Sequence, residues 1–196
     1  MNDAQAAIAE AAARLGRGEL VCFPTETTYG LAADLRARGA LARLVALKGR
    51  NPPAPFAMIA QDARTARTLA RVWPEAAEQL AARHWPGALT LVVPARADLP
   101  AEVLGPGGGV GVRVSPHPVA HALAAALGAP ITATSANPSG APPALDADTA
   151  RGYFGDAVAF YLDGGPAAAS TASTVVAVGE DGSLTVIRRG AVDIST

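Results

Sequence analysis

"VGVRVSPHPVAHALAAALGAPITATSANPSG", residues 110–140, is the stretch on which the reading of the fold rests. It opens with valines alternating with Gly111, Arg113 and Ser115, the period of two expected of a strand with one buried face. Pro118 then starts an alanine- and leucine-rich run that stops at Gly128, as a helix with a glycine C-terminus does. A second apolar start at Ile131 runs into Thr132, Thr134, Ser135 and Asn137. Strand, helix and strand within about thirty residues have the size of a βαβ crossover. The class is therefore α/β.

The flanking sequence repeats this alternation. Residues 3–15 have alanine-rich helical periodicity, and "GELVCFP" (18–24) reads as a strand. Residues 41–47 read as a helix with Leu41, Leu44, Val45 and Leu47 apolar, and "PFAMIAQ" (55–61) as the next strand. Helices are predicted over 63–72 and 74–84, and a strand over 89–93. Downstream, "AFYLDGG" (159–165) and "STVVAVGEDGSLTVIRRG" (173–190) alternate again, and Asp181-Gly182 predicts a hairpin between the last two strands. The expected architecture is a twisted mixed sheet with helices packed on it. A length of 196 residues suits one well-buried core. With no internal repeat or dividing linker, residues 1–196 are expected to form a single domain.

Composition narrows the function classes. Half the residues are hydrophobic and 17% are charged, yet no apolar run approaches the roughly 18 to 20 residues of a membrane span. Asp3, Glu10 and Glu19 lie among the first alanines without a basic start and apolar block, so no secretory leader is expected and the cytoplasm is the expected location. The one cysteine, Cys22, lies in an apolar run and is expected to be an inert core thiol. A net charge of -1 offers no global attraction for nucleic acid, so any tRNA contact should be weak or indirect. "GPGGGVG" (105–111) precedes a strand and is followed by no Gly-Lys-Ser/Thr, which makes it a connection rather than a phosphate loop. His117 and His121 have helical spacing, but His117 stands before Pro118 at a helix start, and no metal site is expected there.

Three strand ends carry hydroxyls. "FPTETTYGLAAD" (23–34) crowds Thr25, Thr27 and Thr28 around Glu26, "TATSANPSG" (132–140) places Ser135 and Asn137 after a strand, and "TASTVV" (171–176) places Ser173 before one. Each hydroxyl alone fits a turn or a cap, but ligands of open α/β sheets lie beyond strand ends. Of the 16 Lys and Arg residues only Lys48 is a lysine, in "LKGRNPPAP". That choice suits a place requiring a compact ammonium instead of a planar guanidinium; the alternative is that Lys48 and Arg50 form a solvated helix end. Arg113 alternates with Val112 and Val114 and so faces away from them, either as a sheet-face arginine or as a ligand clamp.

Taken in order, these elements resemble the YrdC-like family. "PTETTYGL" is similar to its Pro-Thr-x-Thr-x-Tyr-Gly-Leu signature and "KGRNPPAP" to its Lys-x-Arg element. "HWPGALTLVV", "VRVSPHP", "TSANPSG", "STVV" and "IRRGA" resemble the remaining segments in the same order, over nearly the whole chain. Departures stand at Asn51, Ile59, Ala172 and Arg189. The resemblance implies a concave ligand cleft and threonylcarbamoyl-AMP synthase chemistry: L-threonine, bicarbonate and ATP, with Mg²⁺, give threonylcarbamoyl adenylate and pyrophosphate. A separate tRNA threonylcarbamoyl transferase of TsaD type would use that product. It further implies Lys48 and Arg50 as catalytic groups on the triphosphate, with Ser135, Asn137 and Arg188 completing the ATP site. Thr25, Thr27, Arg113 and Ser173 would bind threonine, with Arg113 on the carboxylate. Two other classes remain comparable: the carbamoyl-transfer module of hydrogenase maturation proteins, which sits in much larger chains, and a non-catalytic RNA-binding module. A chain with 5% aromatics and a slightly acidic balance fits the second poorly.

Overall fold

The structure is a computed structural model that describes residues 3–49, 54–167 and 171–194. In chain order its elements are α1 (Asp3–Gly16), β1 (Val21–Pro24), β2 (Tyr29–Ala32), α2 (Ala40–Lys48), β3 (Ala57–Ala60), α3 (Ala63–Arg67), α4 (Glu75–His84) and β4 (Leu89–Pro94). There follow β5 (Gly109–Val114), α5 (Pro118–Leu127), β6 (Ile131–Ser135), α6 (Ala147–Phe154), β7 (Phe160–Tyr161), β8 (Thr174–Val178) and β9 (Leu184–Arg188). The strands form one nine-stranded sheet in the order β7-β1-β2-β6-β3-β5-β4-β8-β9. It is mixed: β1 with β7, β3 with β5 and β4 with β8 are parallel, and the other neighbours are antiparallel.

Two expectations are corrected. The unit at 110–140 is not a βαβ crossover, because β3 lies between β5 and β6, parallel to the first and antiparallel to the second. The helix predicted over 63–72 ends at Arg67. Residues 69–71 instead turn to bond the end of β4, with Arg71 N–H donating to Pro94 O and Arg96 N–H to Leu69 O. Two elements were not anticipated. β2 follows β1 after a tight turn, and α6 is capped by Asp146, whose carboxylate accepts from Thr149 N–H at 2.6 Å.

The two faces of the sheet are covered unequally. Although the edge strand β9 is exposed along its length, one face is covered across the central strands. Leu89, Leu91 and Val93 of β4, Val110 and Val112 of β5, and Val176 and Val178 of β8 pack there with Leu44 of α2, Leu80 of α4 and Phe154 of α6. On the other face α1 and α5 bury Val21, Phe23, Ala32, Ile59 and Ile131, which belong to β1, β2, β3 and β6. Beyond β3 that cover ends. The alternate residues Gly109 and Gly111 of β5, Val92 of β4, and Val175 and Ala177 of β8 remain half exposed. With no side chains at Gly109 and Gly111, this half lies open beside the α5 cover, and the step between the two is the candidate cleft. A Cβ at 109 would stand 2.7 Å from Val92 Cγ1, so a larger residue there would have to displace that side chain.

Candidate active site

Arg113 faces the cleft where the α5 cover stops. In the parallel register it lies opposite Ile59, which is buried under α5, and by alternation it shares the face of Gly111. Its side chain is only 8% exposed and ion-pairs with Glu26, which is 17% exposed. The second oxygen of Glu26 accepts a hydrogen bond from Ser115 Oγ at 2.5 Å. Burial lowers the Arg113 guanidinium to about 10, and the like charge of Arg188 acts in the same direction. Arg113 therefore remains protonated at neutral pH, as a buried cation that needs an anion beside it.

Glu26 reaches Arg113 because Thr25 builds the turn between β1 and β2. The Thr25 hydroxyl donates to Thr28 O at 2.6 Å and accepts from Thr27 N–H and Thr28 N–H at 3.2 and 3.3 Å. It also lies 3.1 Å from the Thr27 hydroxyl. Thr25 and Thr27 are both buried, and the turn they form carries Glu26 between them in the chain. The adjacent Tyr29 is a tether. Its hydroxyl donates to Gly165 O at 2.7 Å and accepts from Gly164 N–H at 3.1 Å, holding β2 against the 163–165 segment.

On the far side of Arg113, Ser173 and Arg188 meet. The Arg188 guanidinium donates to Ser173 O at 2.9 and 3.1 Å and to Ser173 Oγ at 3.0 Å, while Ser173 Oγ lies 3.1 Å from Thr90 Oγ1. The segment is stapled from behind: Thr174 Oγ1 donates to Val192 O at 2.6 Å, and Ala191 N–H to Ala172 O at 3.0 Å. Arg188, Ser173 and Thr90 are thus bonded to one another, Glu26 and Ser115 hold Arg113, and the two sets are near enough for the charge of Arg188 to act on Arg113.

Lys48, Ser135 and Asn137 form a second group. The Lys48 side chain turns inward, and the residue is 1% exposed. Its ammonium donates to Ser135 O at 2.7 Å, Asn137 O at 2.5 Å and Asn137 Oδ1 at 3.1 Å. Ser139 N–H returns a bond to Lys48 O at 3.3 Å, Ser135 Oγ donates to Asn137 Oδ1 at 2.5 Å, and Asn137 Nδ2 donates to Ala141 O at 2.5 Å. The alternative of a solvated helix-end lysine is thereby overturned: the three acceptors draw the ammonium out of water. Arg50 and Asn51 lie outside the described residues.

Ser115 and Thr90 are site residues to which the sequence reading gave no role, and Glu26 was there only a candidate base, cap or magnesium ligand with no role assigned. The one signal for Glu26 was a carboxylate placed among threonines in a turn. Its partner Ser115 lies 89 positions away, so only the folded chain reveals the contact. Among the described residues, no three His, Cys, Asp or Glu side chains converge on a point that could hold a metal ion. Nor, among them, is any helix long and apolar enough to cross a membrane. Cys22 is fully buried, and burial pushes its thiol up to about 12.

The Sua5/YciO/YrdC family model, described as "Telomere recombination", matches residues 13–190. A protein of Halorhodospira halophila named threonylcarbamoyl-AMP synthase is 42% identical over 158 residues, 80% of this chain and 82% of its own. The Bacillus subtilis protein of that name is 39% identical over 181 residues, 92% of this chain but 52% of its own. Among solved structures, Pyrococcus abyssi Sua5 complexed with L-threonine superimposes with a TM-score of 0.88 at 35% identity, covering 95% of this chain and 54% of that one. The chain therefore spans about half the length of these two longer relatives.

Proposed function

The chain belongs to the Sua5/YciO/YrdC family, and from that premise we propose that it is a threonylcarbamoyl-AMP synthase. In this reading it is a nucleotidyltransferase that converts L-threonine, bicarbonate and ATP into threonylcarbamoyl adenylate and pyrophosphate. The observation that supports it most is Arg113: a buried, protonated guanidinium at the edge of an open cleft, with hydroxyls on both sides. A planar fork in that position suits a carboxylate with two parallel hydrogen bonds. Thr25, Thr27 and Ser173 would line the pocket around the substrate's own hydroxyl and methyl.

Carbamate formation on the threonine nitrogen would supply the oxygen nucleophile, which attacks the α-phosphorus of ATP while pyrophosphate leaves in line. All the partners are anionic, so the work of the site is positioning and charge neutralisation. In this proposal Arg188 and Arg50 supply cations to the nucleotide, and the loop bearing Ser135 and Asn137 holds its phosphates. Lys48 fixes that loop through the bonds already described and adds a positive charge behind it. Mg²⁺ belongs to the substrate as the ATP complex, while the Glu26 carboxylate is engaged by Arg113 and Ser115. The adenylate would then pass to a separate threonylcarbamoyl transferase acting on tRNA. A diffusible product of this kind suits a chain of net charge -1.

The test is pyrophosphate release from ATP and bicarbonate with and without L-threonine. Release that requires threonine and is weaker with serine, by the factor of about 10 to 100 that one methyl group allows, is expected. Equal release without any amino acid would refute the assignment.

A further inference from the structure

On the synthase reading, carbamate formation leaves a proton to be placed. Threonine enters as an ammonium and bicarbonate as an anion. As the nitrogen bonds to carbon, the carbon–hydroxyl bond breaks, one nitrogen proton leaves with the hydroxide as water, and a second must go to a base. Lys48, Arg113 and Arg188 are cations, and the surrounding Ser and Thr hydroxyls are poor acceptors of a full proton. His117 is engaged at the start of α5, where its Nδ1 accepts from Val119 N–H at 3.3 Å.

We propose that Glu26 is the proton acceptor for carbamate formation and, together with Arg113, the receptor for the zwitterionic end of threonine. The geometry behind this is the ion pair itself. One buried guanidinium and one carboxylate, side by side at a cleft, form the charge complement of an α-amino acid, whose carboxylate and ammonium sit on one carbon. Without substrate, Glu26 serves as the counter-ion of Arg113, occupying the position a substrate carboxylate would take. When threonine binds, its carboxylate replaces Glu26 on the guanidinium and its ammonium meets the displaced oxygen. Ser115 keeps the other oxygen of Glu26 in place through the exchange. The carboxylate is then within hydrogen-bonding reach of the proton it must accept, the geometric requirement for a general base. It takes that proton as the nitrogen–carbon bond forms and gives it to solvent afterwards. The exchange keeps every charge paired, so the buried guanidinium is never left without an anion.

Glu26→Gln preserves the shape and can still accept from Ser115, but it cannot take a proton. The expected result is a fall in kcat for threonine-dependent pyrophosphate release on the order of 100-fold, with threonine affinity changed by less than about tenfold because loss of the ammonium partner and loss of the competitor for Arg113 oppose each other. A second readout uses 3-hydroxybutanoate, which is threonine without its amine. This probe should bind Glu26→Gln at least about tenfold more tightly than wild type, since the carboxylate that repels and competes with it is gone. Wild-type kcat in Glu26→Gln, or unchanged affinity for the amine-free probe, would overturn the proposal. If Glu26→Gln does not fold, Glu26→Asp keeps the charge and withdraws it by one methylene. It should lose at least about tenfold in kcat with threonine binding retained, and an unchanged kcat would again overturn the proposal. The two readings fail separately. A wild-type protein without threonine-dependent release refutes the synthase reading and this proposal with it, whereas an active wild type with an equally active Glu26→Gln refutes only the role of Glu26.

Discussion

Replacing Lys48 with methionine removes three charge-assisted hydrogen bonds and leaves the side-chain volume nearly unchanged. Among the described residues the acceptors of the ammonium include two backbone carbonyls and the Asn137 amide oxygen, all neutral and all in the 135–137 loop. A buried carbonyl left without a donor costs about 1 to 3 kcal/mol, while removing the ammonium relieves the desolvation of a residue that is 1% exposed. The net expected loss is about 3 kcal/mol, which for a chain of this length lowers Tm by about 6 to 12 °C. Lys48→Arg should also destabilise, by about 1 to 3 kcal/mol, because a larger planar group is forced into a filled space where its donors cannot converge on the same three oxygens. Calorimetric melting of both variants, with ATP titrated into each folded protein, is the assay. A Lys48→Met protein that melts at the wild-type temperature would refute the reasoning, since the ammonium would then not be fixing the loop at all.

Other perturbations test other parts of the account. Gly190→Ala would drive a Cβ into Ala172 O, the Ser173 carbonyl carbon and Thr174 N; threonine-dependent activity should be lost and Tm lowered, and a fully active variant would show that the 172–174 segment need not hold its place. Arg113→Lys should weaken threonine binding about 10- to 100-fold with ATP binding little changed, because an ammonium cannot make the bidentate fork; titrations showing the larger loss for ATP would reverse its placement. Cys22 has a folded-state pKa raised by burial to about 12, so the fold favours the protonated thiol. Its contribution to stability is complete below the ordinary thiol value and is lost as pH rises from there toward 12. Alkylation of Cys22 at pH 8.5 should therefore proceed only at the rate of unfolding, and rapid labelling of folded protein would contradict that burial.

The sequence revealed most where the signal is local. Alternation of valine with Arg113 identified β5 and the side chain that leaves the core, and the hydroxyls at 25–28, 135–137 and 173–174 were recognisable as strand ends before their partners were known. It failed where the deciding contact is distant. β2 is only four residues long and follows a turn without an Asn-Gly or Asp-Gly signal, so its pairing with β1 shows in the register and not in its composition. The α6 helix offered a cue in Asp146 followed by Thr149, a capping pair at the right spacing, but with only Ala147, Ala150 and Phe154 buried its apolar face is thin. The order β6-β3-β5 cannot be seen in residues 110–140, because the intervening strand comes from 57–60. Glu26 was visible as a carboxylate, but its meaning depends on Arg113, and Lys48 was visible as the one lysine while its inward direction is set by three oxygens of another loop.

The most direct test of the central claim follows the carbon atom. The protein is incubated with ATP, L-threonine and ¹³C-bicarbonate, and the quenched mixture is read at once by mass spectrometry for threonylcarbamoyl adenylate. A threonine-dependent adenylate that carries one ¹³C and appears in step with pyrophosphate is expected. Consumption of ATP to ADP or AMP with no labelled threonylcarbamoyl adenylate would contradict the synthase assignment.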